Sequence, residues 1–551
     1  MALNILDNRF FTADHNYTYS LPELISELYK GHIEDLTALP AHEHSAFFTF
    51  LVQLSAMLRT KFNTQLSDCQ DVRRGLIALT DGNEHSWDLI PEEGQGGFLQ
   101  PFDPNQPPLA GRKKILSPCG IDTLYYSKGH STKAMKAFGT SEEQWIYSLV
   151  AVQTSSAFSG GGRFGSIRTA NTWSSRLFVS LVPIQGNDMR LHHSRWFKMQ
   201  TDLLEEMRKS TNDPVLMDQY AKSAATWTQN WSGEKDALSI EDIDPHFIEV
   251  CRLIRLFQNE EGNIFAQSTG TEGRFVALKA SEKEVEDDND VDALFSAIEG
   301  YEYEIPDTAA DPWSPLRITE DKSGKAKMEP YSLGDKRLDY REILKIFSAK
   351  CQLPEMVSKQ KDFENMAIMI DVTATGKSTT CGHYNVIINL PRDIRENLWN
   401  PMENEFVKEM LKDIDLVSSI ISRAVMLFLS QADDRKFKDR DFWKLNNDFL
   451  TSINEQLSFC IDRDFFATLR RIVNSKGDKS EFAKFRKSLK NIANEICGDF
   501  FKAHEINHHG SLKGYGVAVD YLYKSLQKFH SEEHIKTDKG RDLQKTVAYL
   551  E

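Results

Sequence analysis

Long apolar runs are missing from this 551-residue chain. Its most hydrophobic helix candidate, AFFTFLVQLSAML, falls short of the roughly 20 apolar residues that cross a bilayer. The opening Met1-Ala2-Leu3-Asn4 has neither the basic region nor the apolar stretch of a secretory leader. A cytoplasmic protein with no membrane partner is expected. Cysteine is scarce and scattered: the seven, Cys69, Cys119, Cys251, Cys351, Cys381, Cys460 and Cys497, include no CxxC pair, which excludes a cysteine-based zinc site and suits a reducing compartment. Positive charge is in deficit, with 66 Lys+Arg against 81 Asp+Glu and a net charge of −15. That excludes a stand-alone protein gripping nucleic acid by bulk charge, so any such contact must be local. Catalytic constellations are missing too. Paired carboxylates, nucleophile elbows and HNH-type clusters are not recognisable, and His192-His193 and His42-Glu43-His44 stand without the partners a metal nuclease needs. No catalytic residue, metal or cofactor is assigned.

What is present suits a large globular protein. At 63.0 kDa, with 40% hydrophobic and 27% charged residues, the chain is too long for one core and rich enough to bury several. The first residues, NILDNRFFTADHNYTYS, alternate like short strands, and helical spacing starts at Leu21-Pro22-Glu23-Leu24-Ile25. EEQWIYSLVAVQT predicts a helix that runs into glycines, and WSSRLFVSLVP then reads as a strand. A run of acidic residues from Glu282 to Asp292 reads as an exposed insertion. Beyond Pro391 the segments ENEFVKEMLKDIDLVSSIISRAVMLFLSQ and EFAKFRKSLKNIANEICGDFFKAHEI repeat with helical period. The expected fold class is α+β: a large mixed α/β domain over residues 1–390, then a C-terminal helical bundle of four-helix type over 391–551.

Several motifs carry possible chemistry. Gly160-Gly161-Gly162-Arg163 lets the backbone take positive φ and turn its N–H groups towards an anion; the plain alternative is a hinge between helix and strand. In DVTATGKSTTC, Gly376-Lys377-Ser378 suggests a P-loop, but Asp371 stands where that motif needs glycine and HYNVIINL looks like a strand rather than the required helix. A polar hairpin turn is the simpler reading. Lys128, Lys133 and Lys136 make a basic loop in a Gly/Ser/Thr setting, or a solvated charge run. Lys484, Arg486, Lys487 and Lys490 cluster at helical spacing without an aromatic platform, which favours plain solvation. His504-Glu505-Ile506-Asn507-His508 matches H-E-x-x-H, in which two histidines bind zinc and the glutamate activates water. A zinc metallopeptidase is therefore the rival reading, although Ser511 occupies the glycine position of the extended motif.

Taken in order, three landmarks resemble the large subunit (CasA) of the type I-E CRISPR surveillance complex, Cascade. NILDNRFFTAD is similar to the family's N-terminal strand, with Arg9-Phe10-Phe11 where Trp-Ile-Pro is usual. GGFLQPF, around Phe98-Leu99-Gln100, resembles its Phe-Met-Gln segment. AFSGGGRFGSIR resembles its glycine loop and is the most specific of the three, and the helical last third, ending in HHGSLKGYGVAVDYLYKSL, is similar in layout.

That resemblance implies a non-catalytic DNA-handling subunit. Gly160, Gly161 and Gly162 would approach the minor groove of the protospacer-adjacent motif (PAM), with Arg163 on a phosphate. The minor groove distinguishes bases poorly, so several PAMs would be tolerated. Lys279, or Lys283, would reach base edges. Gly376, Lys377 and Ser378 would tip a wedge that starts unwinding, Lys377 replacing the family's usual amides. The loop of Lys128, Lys133 and Lys136 would dock on guide-bearing subunits. Implied partners are the backbone, guide-handle-binding and small subunits with CRISPR RNA, double-stranded target DNA and an effector helicase-nuclease.

Overall fold

The structure is a computed structural model that describes residues 3–102, 113–122, 124, 141–167, 175–184, 191–210, 214–231, 238–239, 242–277, 316–320, 326–330, 333, 337–348, 366–375, 380–389, 404–505 and 512–530. The class is α+β, as the sequence indicates. The chain divides into two compact units: a mixed unit, Met1–Leu338 with Ile346–Ile388, and a helical unit, Asp339–Lys345 with Asn389–Glu551.

In the mixed unit, β1 (Phe11–Thr12) and β2 (Thr18–Tyr19) form a short antiparallel pair before α1 (Leu21–Lys30). Ser20 and Glu23 close a capping box at the start of α1, and Gly31 ends it at φ 88°. The next helix, α2 (His44–Phe62), is buried on all sides from His44 to Leu58, the environment that an all-round apolar helix requires. Around it pack α3 (Cys69–Leu79), α4 (Glu142–Ser155) and α5 (His193–Ser210), and the short α6 (Pro214–Ala221) follows α5. Rings fill the spaces: Phe47 meets Tyr147 at 4.7 Å, Phe48 meets Trp196 at 5.5 Å and Trp87 meets Trp227 at 5.4 Å.

The sheets of this unit are small. The largest places β10 (Met366–Thr375) between β3 (Phe178–Pro183) and β11 (Thr380–Ile388), antiparallel to both. β5 (Leu253–Gln258) pairs with β6 (Ile264–Thr269), β4 (Leu238–Ser239) runs parallel to β7 (Val276–Ala277), and β8 (Leu316–Glu320) pairs with β9 (Ala326–Pro330).

Buried polar side chains tie these pieces together. The Arg208 guanidinium donates to both Asp244 oxygens at 2.8 and 2.9 Å, and the Lys61 ammonium lies 3.0 Å from the same carboxylate. Burial alone would raise the Asp244 pKa, but Arg208, with Lys61 and His246, holds it below the usual carboxylate range. The landmark Gln100 is fully buried; its amide donates to the Leu89 carbonyl at 2.9 Å and accepts from the Leu256 N–H at 2.7 Å. Its role here is architectural.

The helical unit is built around the long helix α8 (Glu405–Leu429), which Asn404 caps by accepting from the Phe406 and Val407 N–H groups. After the short helices α9 (Asp434–Lys438) and α10 (Arg440–Leu445), α11 (Asn447–Asp462), α12 (Phe465–Asn474), α13 (Lys479–Glu505) and α14 (Leu512–His530) pack against it. Each turns one stripe inward, such as Leu450, Ile453, Leu457 and Ile461 on α11 or Ala518, Leu522, Leu526 and Phe529 on α14. The segment Asp339–Lys345, at the start of α7 (Tyr340–Ser348), belongs to this unit. Its Tyr340 ring stacks on Phe465 at 4.6 Å, and the Tyr340 N–H donates to Asp462 at 2.7 Å.

Candidate nucleic-acid interface

The glycine turn is held by α4. The last three residues of this helix region, Thr154, Ser155 and Ser156, fold their hydroxyls back onto the carbonyls of Val150, Ala151 and Val152 at 2.6–2.8 Å. The next free carbonyls, Ser155 O and Ser156 O, accept from Arg176 N at 2.9 Å and Ser166 N at 2.8 Å, so the chain must leave the helix and return past its end. Between departure and return lie Gly160, Gly161 and Gly162 at φ 78°, 59° and 72°, all left-handed. The Arg163 N–H donates to the Gly160 carbonyl and the Ser159 N–H to the Arg163 carbonyl, each at 3.1 Å, which closes the turn.

The three glycines differ in what surrounds them. A Cβ at Gly160 would meet nothing, and one at Gly161, which is exposed, would meet only the Arg163 Nη1 at 3.8 Å. A Cβ at Gly162 would strike the Thr271 backbone, whose nitrogen would lie 2.8 Å away. A Cβ at Gly270 would in turn strike the Gly161 carbonyl, and the Thr271 N–H donates to the Gly162 carbonyl at 2.9 Å. Gly162 and Gly270 thus anchor the turn, while Gly160 and Gly161 form its open face. The Arg163 guanidinium has no hydrogen-bond or ion-pair partner among the described residues.

Beneath the turn, Arg252 donates to the carbonyls of Phe164 and, at 2.6 Å, Ala157. Glu249 receives Ser166 Oγ at 2.5 Å and the Ile167 N–H. Gln153 on α4 accepts from the N–H groups of Cys251 and Arg252 at 3.1 and 2.8 Å and donates to the Leu99 carbonyl at 2.9 Å. The platform is therefore a chain of buried amides and charges running from the second landmark to the third. Burial pushes the Cys251 thiol up to about 11, so it remains a neutral filler.

The sheet brings a second element to the same place. Phe178, the first residue of β3, is opposite Asp371 of β10, and Pro183, the last, is opposite Met366. The β10–β11 connection therefore leaves the sheet at the end where the chain enters β3 from the glycine turn. Ser175, just before β3, donates its N–H to the Thr373 carbonyl at 3.0 Å and accepts the Thr373 N–H on its hydroxyl at 2.7 Å. Because Thr380–Ile388 is a strand, the P-loop reading has no helix where it needs one and falls; the hairpin reading holds.

No protein-family model and no curated protein matches the sequence. Solved structures do match the fold. Cse1 from Acidimicrobium ferrooxidans aligns over 97% of this chain and 99% of its own, with a TM-score of 0.58 at 11% identity. The fold is that of CasA. The CasA (Cse1) of Thermus thermophilus aligns over 96% of this chain and 99% of its own at TM-score 0.56 and 11% identity. A chain of a CRISPR RNA-guided surveillance complex covers 96% of this chain and 99% of its own at TM-score 0.50 and 11% identity.

On this CasA fold, Gly160, Gly161, Gly162 and Arg163 form one turn. Lys128, Lys133, Lys136, Lys279, Lys283, Gly376, Lys377, Ser378 and His508 lie outside the described residues, as does the acidic run from Glu282 to Asp292. The basic cluster on α13 is partly spoken for: Arg486 pairs with Asp413 at 2.7 Å and Glu409 at 2.8 Å, and Lys484 with Glu481 at 2.5 Å. His504 donates Nδ1–H to the Phe500 carbonyl at 2.8 Å and stacks on the Phe500 ring at 4.1 Å. Sequence reading missed Arg252, Glu249, Gly270 and Thr271. The only signal for Glu249 and Arg252 is charge inside the apolar run Phe247–Phe257, where a buried role and a surface role look alike, and Gly270 and Thr271 carry none.

Proposed function

We propose that this chain is the non-catalytic large subunit of an RNA-guided type I-E CRISPR complex, and that it inspects double-stranded DNA for a PAM before guide pairing begins. One observation carries the reading: an open left-handed glycine turn, whose arginine has no partner among the described residues, stands on a buried hydrogen-bonded platform at the end of the sheet from which the β10–β11 hairpin departs. Peptide N–H groups and a nearby guanidinium suit phosphate and a narrow groove, and a hairpin that leaves the sheet at that end suits separation of the first base pair. The CasA fold supports the assignment. Gly160 and Gly161 face the groove with Gly162 anchoring the turn behind them, Arg163 faces a phosphate, Lys279 or Lys283 the base edges, and Gly376, Lys377 and Ser378 the strand junction. Lys128, Lys133 and Lys136 dock on the guide-bearing subunits, the helical unit meets the small subunits, and a helicase-nuclease is recruited in trans or carried on another subunit. The division of labour is that of RNA-guided effectors in general, where protein contacts nucleate opening and base pairing supplies sequence.

The test is binding of the reconstituted guide-RNA complex, with and without this chain, to duplexes with a randomised flank, at fixed salt. The reading expects a flank preference that appears only with this chain and weakens in Gly161→Val and Lys377→Ala. A complex whose flank preference ignores the chain would remove it.

A further inference from the structure

The sequence shows His42-Glu43-His44 as histidines without partners, and the fold supplies one. Asp122, following the turn Pro118–Gly120, lies with its Oδ2 2.5 Å from His42 Nε2, and single ligand atoms of His42, Glu43 and Asp122 all fall within 4.8 Å of one another. Glu43 and Asp122 are buried, at 1% and 4% exposed, and the His42 side chain is 8% exposed. Ser148 on α4 donates to Glu43 Oε1 at 2.7 Å, while Glu43 Oε2 is buried and accepts no hydrogen bond among the described residues. Two carboxylates thus share a buried space with one imidazole, and when both are ionised they repel each other, a cost that a shared proton or a bound cation relieves.

We propose that His42, Glu43 and Asp122 bind one divalent first-row metal ion, with Zn2+ the natural probe. One imidazole nitrogen and two carboxylate oxygens form a borderline donor set that suits zinc or manganese better than magnesium, and a fourth position remains for water. Tetrahedral ligands about 2.0–2.2 Å from an ion stand roughly 3.4 Å apart. The His42–Asp122 pair therefore opens by about 1 Å around the ion, and Glu43 Oε2 gains the partner it lacks. The burial of all three makes the site structural. It joins the start of α2 to the turn before residue 123, and the His42 ring meets His383 of β11 edge-on at 6.1 Å, which links the ion to the foot of the hairpin. His383 is itself held by Asp371 of β10 at 3.3 Å, and Asn385 donates to the same carboxylate at 2.6 Å.

The full chain, stripped with a chelator and dialysed, is titrated with Zn2+ alone, with stoichiometry read by elemental analysis and affinity by competition with a chromophoric chelator. One ion per chain is expected, with a raised thermal midpoint. Glu43→Gln and Asp122→Asn should each weaken binding by more than the roughly 10–100-fold that loss of an outer-shell partner costs, with circular dichroism unchanged. Co2+ in the wild-type chain gives a readout independent of any variant: visible bands of a nitrogen/oxygen site are expected, without sulfur charge transfer. Failure to bind at micromolar Zn2+, a sulfur band that assigns the ion to a cysteine, or binding that survives both substitutions but is lost in His504→Ala would each overturn the proposal.

Discussion

The two units keep their shape by different means. In the helical unit the inward stripes of α8, α11, α13 and α14 repeat every three or four residues, so each helix states locally which face it buries. In the mixed unit the decisive contacts join residues far apart in the chain: Arg208 with Asp244, Gln153 with Arg252, Gly162 with Thr271 and His42 with Asp122. Local periodicity makes an element sturdy but generic. Distant polar ties fix one arrangement and anchor the glycine turn, as the proposed reading of a groove by peptide groups requires.

Substitutions can break this contrast, starting with the largest effect. Arg208→Ala leaves Asp244 buried without its bidentate partner and should cost the mixed unit about 3–5 kcal/mol. Fluorescence of buried Trp87, Trp145, Trp196 and Trp227 reports that unit in denaturant, and the helical unit's transition should stay in place. Acid should act in the same direction. The Asp244 pKa is depressed on folding, so its contribution is complete above the unfolded value of about 3.9 and disappears as pH falls through the lower folded value. Asp244→Asn should flatten that part of the stability profile.

Ile421→Ala, in the fully buried stripe of α8, should cost about 2–5 kcal/mol and shift only the helical transition, followed by circular dichroism. Should both transitions move together in either variant, the two units do not unfold separately.

The smallest effects sharpen the comparison inside the glycine turn. Gly162→Ala meets both a left-handed φ and the Thr271 backbone, and should cost about 2–4 kcal/mol. Gly161→Ala meets only the φ penalty, about 1–2 kcal/mol, so it should fold and lose function in the flank assay instead. Equal stability losses at the two positions would erase the distinction between anchor and open face.

Much of this was legible in the chain. AFFTFLVQLSAML announces a helix buried all round, and the long patterns after Pro391 announce α8 and α13. Two β-rich runs flanking Thr375-Gly376-Lys377-Ser378 give the hairpin and exclude the helix of a P-loop. The glycine triplet gives the turn. Its platform was not legible, because Glu249 and Arg252 carry charges that ordinarily face water and their partners lie more than eighty residues away. Asp122 was hidden for the same reason: nothing in the spacing of His42 and Glu43 points to a carboxylate that only the packing of α2 and α4 brings near. The segment Asp339–Lys345 joins the helical unit through an aromatic stack and caps that no periodicity foretells.

The open face of the turn consists of main chain, and main chain is the part of a protein that mutation does not respell. A side-chain reader loses its letter when one codon changes; a peptide reader keeps its letter so long as the bend survives. The bend, rather than any one side chain, is therefore the feature to look for in chains that share this fold at 11% identity.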